Sequence, residues 1–122
     1  MEQVAKSNTL HGIVIVTVGD REYTLTPTLG AARKIEARFG GLRAALDGLS
    51  MVSADTAAWI IASGANLKPK KMETLPQQVF EAGTVEVVNQ CVPFIHNLMR
   101  PAPPKDEGEG EEEGEEDAAK NE

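Results

Sequence analysis

The sequence predicts an α+β fold: an N-terminal β-hairpin packed against about five short α-helices, with a disordered acidic tail at the C-terminal end. Three observations predict it. Two strand-like stretches flank Gly19-Asp20, apolar residues recur at helical spacing between Leu29 and Met99, and a Glu/Gly run follows Pro104. These divide the chain into a flexible arm over 1–10, a folded domain over 11–100, and a Pro-led, then Glu/Gly-rich acidic tail over 101–122.

The first strand is Gly12 to Val18, dense in β-branched residues, and the second is Arg21 to Thr26. Gly19 supplies the positive φ a tight hairpin turn needs. Alternation puts Tyr23 and Leu25 on one face and Glu22 and Thr24 on the other, so one side of the hairpin must be covered. Pro27 cannot donate to a ladder and holds Thr26 extended, which ends the strand.

Thr28 then N-caps the first helix, whose apolar face is Leu29, Ala32, Ile35 and Phe39, with Arg33, Lys34, Glu36 and Arg38 turned to water. Gly40-Gly41 stops it. A second short helix runs from Leu42 to Leu46 before Asp47-Gly48 breaks it. Ser53 caps a third, Ala54 to Ala65, with Asp55 near its positive end and Ala57, Ile60, Ile61 and Gly64 on one face. Trp59 lies off that stripe, so it either seals an edge or stays exposed.

Asn66 to Glu73 reads as a lysine-rich loop, and Thr74-Leu75-Pro76-Gln77 has the spacing of a helix start. That helix ends at Gly83. Thr84 to Met99 is the last helix, because Val85, Val88, Val92, Ile95 and Met99 are spaced three, four, three and four apart. A kink is expected at Pro93, which removes one backbone bond and crowds the carbonyl of Asn89.

Composition narrows the function. With 41% hydrophobic residues but one Trp, one Tyr and three Phe, the core is aliphatic and modest, and a partner is one way to complete it. The net charge of −7 belongs to the tail: Lys105 to Glu122 holds ten acids and two bases, leaving nine acids against ten bases in residues 1–104. A near-neutral body, an acidic tail and no aromatic platform argue against nucleic acid, despite Lys68, Lys70 and Lys71. No apolar run is long enough to span a bilayer, and no signal-peptide pattern opens the chain, so a non-exported protein away from membranes is expected.

Catalysis has no foothold. Nucleophile elbow, P-loop, dinucleotide fingerprint, HExxH and paired CxxC are all missing from the sequence, so neither an enzyme nor a cofactor is expected. His11 and His96 lack Asp, Glu or Cys partners at ligand spacing and are read as structural. Cys91, the one cysteine, has no neighbouring base or cation and is read as a packed thiol. The seam Val85, Val88, Val92, Ile95 and Met99 is core in the plainer reading; in the sharper one it is a groove for a partner's helix.

Gly12 and its strand, Gly19-Asp20, Tyr23-Thr24-Leu25-Thr26-Pro27-Thr28, Leu29-Gly30-Ala31-Ala32, Ile35-Glu36 and Phe39-Gly40 resemble the tail assembly chaperones of long-tailed phages. The branch found in gene transfer agents and related prophages is the nearest. Leu29 departs from that branch, where an aromatic is common, and so does the long acidic tail. The resemblance implies a chaperone of the host bacterial cytoplasm that coats the tape measure protein, helps recruit tail tube subunits and is absent from the mature virion. Its partners would be those two proteins, with a homo-oligomer left open. A structural tail component of the virion and a small acidic regulator or nucleic-acid mimic are the alternatives.

Overall fold

The Gly19-Asp20 turn joins β1, Val14–Val18, to β2, Arg21–Leu25, and the two strands pair antiparallel with Val16 opposite Tyr23 and Val14 opposite Leu25. This is seen in a computed structural model that describes residues 12–100. The expectations for the arm over 1–10, for His11 and for the tail over 101–122 lie outside the described residues.

Alternation works as the sequence predicts. Val16, Val18 and Leu25 are buried and Tyr23 half-buried, while Thr17, Glu22 and Thr24 face water. Among the described residues the outer edge of β1 has no third strand. Instead the Gln90 side chain accepts from the Thr17 N–H at 2.8 Å and donates to the Thr17 carbonyl at 2.9 Å, making both bonds a neighbouring strand would make. Seven residues further on, Asn97 donates to the Gly12 carbonyl at 2.9 Å, so one helix face is laced to the hairpin.

Among the described residues five helices follow: α1, Leu29–Phe39; α2, Leu42–Ser50; α3, Ala54–Ala65; α4, Pro69–Ala82; and α5, Thr84–Met99. The Thr28 hydroxyl caps α1 by accepting from the Ala31 N–H at 3.0 Å, and Ser53 does the same for α3 through the Thr56 N–H at 3.2 Å. Gly40 ends α1 in the left-handed region, φ 91°, which lets its N–H close on the Glu36 carbonyl. All three of these local signals are where the sequence puts them.

Three expectations need correction. Leu29 is exposed rather than part of the α1 core face, because it is the first helical residue and Ala31 and Ile35 do the burying. Helix α2 runs through Asp47-Gly48 to Ser50, because Leu49 is fully buried and Gly48 is where α2 meets Thr56: a Cβ there would lie 3.3 Å from Thr56 Cγ2. Helix α4 begins at Pro69, not at Thr74, so most of the expected loop is helical and Lys70 and Lys71 stand in its first turn. Pro69 is well placed at the helix start, where its missing N–H costs nothing. Pro76 sits inside α4 and leaves the Met72 carbonyl without its usual partner; burial of Leu75 and Val79, each worth about 1.5–3 kcal/mol, offsets that loss.

The core is centred on α3, which packs against β2 and all four other helices. Its Ala57, Ala58, Ile60, Ile61, Ala62, Ser63 and Gly64 are buried, so the helix is nearly enclosed. Small residues make that enclosure feasible. A Cβ on Gly64 would lie 2.9 Å from both Leu25 Cβ and the Phe94 ring. The Gly64 carbonyl, orphaned at the helix end, accepts from the Thr26 N–H at 3.1 Å.

Gly64→Ala is therefore expected to lower unfolding free energy by about 1–3 kcal/mol through overpacking. Gly30→Ala, at an exposed α1 position with only ordinary contact around the added methyl, is expected to raise it by about 0.5–1 kcal/mol. Urea unfolding of both variants checks the contrast.

Candidate functional site

The five residues of the α5 seam do not form one surface. Val88 is 4% and Ile95 0% exposed, packed into the core, and Val92 is half-buried; Val85, 56% exposed, and Met99, 38% exposed, lie near opposite ends of the helix. At 1.5 Å per residue those two ends are about 21 Å apart. The buried face of α5 is Val87, Val88, Cys91, Phe94, Ile95 and Leu98. A partner cannot reach Val88 or Ile95 while the domain is folded, which removes the centre of the expected groove.

A different concavity is open. It is a cleft of about 480 Å³ between α1, α3 and the start of α4, lined by Lys34, Trp59, Ala62, Ser63, Leu67, Pro69, Met72 and Glu73. Helical spacing aligns its walls: Trp59, Ala62 and Ser63 are three and four residues apart on α3. The remaining wall depends on how the chain leaves α3. Asn66 adopts φ 56°, a conformation Asn tolerates, and the Leu67 N–H returns to the Ala62 carbonyl at 2.9 Å. That reversal brings Leu67, Pro69 and Met72 back beside Trp59. Lys34 Nζ donates to Asn66 Oδ1 at 2.7 Å, fastening α1 to the same corner.

The cleft is apolar within, with Lys34 and Glu73 the charged residues on its wall. Arg38, one turn beyond Lys34, stacks its guanidinium 4.9 Å from the centroid of the half-buried Trp59 ring, a cation–π contact. Lys68, Lys70 and Lys71 are exposed and alternate in the chain with lining residues. Glu73 on the wall, Asp55 one turn before Trp59 on α3, and Glu36 between Lys34 and Arg38 on α1 are the acids nearby in the chain. Ser63 is 5% exposed and borders both this cleft and a second one lined by Thr24, Thr26 and Thr28.

In the sequence Trp59 lies off the α3 stripe, with nothing to join it to Arg38 or Met72. The usable signal was one turn of spacing, Lys34 to Arg38, on the helix that must pack beside the only tryptophan. His96 is exposed in the last turn of α5, and Glu36 is exposed on α1. Among the described residues no three His, Cys, Asp or Glu side chains converge as a metal site would require, and no helix is long and apolar enough to cross a membrane. Compared with protein families, characterised proteins and solved structures, the chain matches none.

Cys91 is fully buried among apolar side chains, and that burial pushes its thiol from the ordinary 9.0 up to about 12. A neutral, enclosed thiol is a packing group and not a nucleophile. The shift also sets a pH dependence. Below pH 9 the thiol is protonated in both states and contributes nothing; above it the unfolded chain loses the proton first, so stability falls, by up to about 1.4 kcal/mol per pH unit toward pH 12. Cys91→Ala is expected to be less stable at pH 7 but to lack this extra alkaline slope. Urea titrations between pH 8 and about pH 11 make the comparison, and parallel slopes would contradict it.

Proposed function

We propose that the chain is a non-enzymatic assembly chaperone, of the kind that long-tailed phages and gene transfer agents use to build tails, and that it holds apolar helical segments of a tape measure protein. The observation that carries this reading is the open, apolar Trp59 cleft. A long helical protein that is not yet inside its tail tube exposes apolar faces, and a groove able to bury an apolar stripe lowers their tendency to aggregate. The likeness of residues 12–40 to tail assembly chaperones, and the hairpin-then-helices order, support the same reading. In it the chain works in the host cytoplasm, helps bring tube subunits to the tape measure protein and leaves before the particle is complete.

Co-expression with the tape measure protein of the same tail gene cluster tests this. The expected outcome is a tape measure protein that stays soluble and co-elutes with the chain, together with purified particles in which mass spectrometry does not find the chain. A tape measure protein that remains insoluble and unbound contradicts the reading. Finding the chain in finished particles at the level of a tail subunit would instead make it a structural component.

A further inference from the structure

We infer that the Trp59 cleft selects an acidic partner: a helical segment whose apolar side chains enter between Trp59, Leu67 and Met72 while its carboxylates meet Lys34, Arg38 and the lysines that begin α4. The inference rests on reading the cleft as the partner surface and adds the chemistry of what binds there.

Charge is the first argument. Lys34 lines the cleft, Arg38 stacks on its Trp59 wall, and the exposed Lys68, Lys70 and Lys71 are chain neighbours of the lining residues Leu67, Pro69 and Met72, five cations in all. Residues 1–104 as a whole are nearly neutral, so this is a local concentration of positive charge and not a property of the entire body. The acids nearby in the chain, Glu36, Asp55 and Glu73, are three against these five.

Helix α4 gives the second argument. Its three lysines occupy the positive end of the helix dipole, where cations are unfavourable; no acid stands in the first turn, and Lys68 provides no side-chain cap. An anionic partner relieves the lysine repulsion; the backbone asks for little more, because Pro69 has no N–H and the Lys71 N–H already closes on the Lys68 carbonyl at 3.0 Å. Ser63 is the third observation, independent of charge: a polar residue only 5% exposed that borders this cleft and the neighbouring one lined by Thr24, Thr26 and Thr28. A bound backbone or side chain could accept its proton. A polypeptide suits this combination better than a nucleic acid, because the cleft floor is aliphatic and its one ring is already stacked by Arg38.

The test uses Trp59, the only tryptophan, as the reporter in the full chain. Three synthetic helical peptides about sixteen residues long share one leucine stripe and carry Glu, Gln or Lys on the opposite face. The Glu peptide is expected to change Trp59 emission and to bind at least about tenfold more tightly than the Lys peptide, with an affinity that falls as salt rises. Lys70→Glu with Lys71→Glu, both at exposed positions, is expected to abolish or reverse that preference while circular dichroism shows the fold unchanged.

Equal binding of the three peptides at Trp59 would overturn the charge inference and leave the cleft standing as a partner surface. If none of them perturbs Trp59 while the tape measure protein still co-elutes, the cleft assignment falls and the chaperone reading survives. If the tape measure protein is not held either, both fall. A deoxythymidine oligonucleotide, or a peptide of residues 105–122, that displaces the Glu peptide as well as unlabelled Glu peptide does would also overturn the inference, by showing that charge alone suffices.

Discussion

Gly64 is the point at which this domain is pinned together. Because it has no side chain, α3 approaches both Leu25 at the end of β2 and Phe94 in the middle of α5, at a distance that would put a Cβ 2.9 Å from each. The same residue's carbonyl takes the Thr26 N–H, the last donor before Pro27 removes one. Steric closeness and hydrogen bonding therefore act at one place, where the hairpin hands over to the helices. Ser63, Ala62 and Trp59 lie within the preceding five residues of α3, so the contact that fixes the helix also fixes one wall of the cleft.

The features legible in the sequence were those decided by local chemistry. Thr28 and Ser53 as caps, Gly40 as a stop, the two-residue turn and the alternation of β2 each depend on a few neighbouring residues, and short range is what a sequence shows directly. The misreadings share a cause. Gly48 and Pro76 are breakers in isolation, yet α2 and α4 pass through them because Leu49, Leu75 and Val79 are buried by distant elements. Tertiary burial overrides propensity in both places.

On α5 the period was right and the phase was off. Val85, Val88, Val92, Ile95 and Met99 keep helical spacing, but so do Val87, Cys91, Phe94 and Leu98, and the buried face takes the second series together with Val88 and Ile95. Each residue turns the helix about 100°, so the two choices point in different directions. The Trp59 cleft was illegible for another reason: its walls come from residue 34, residues 59–63 and residues 67–73, and only the reversal at Asn66 brings the last group beside the first two. No periodicity within one helix encodes such a meeting.

Together these observations describe a small domain that places its aliphatic residues in one core around α3 and leaves an apolar cleft, with Lys34 on its wall and Arg38 stacked on Trp59, beside it. The central claim is that a helical partner is held in that cleft and not along α5. Hydrogen–deuterium exchange, with and without the bound tape measure protein, tests it most directly. The account predicts slowed exchange in the C-terminal half of α1 and from Ala65 through Glu73, with α5 unchanged. Slowing confined to α5, with residues 59–73 unaffected, would contradict it.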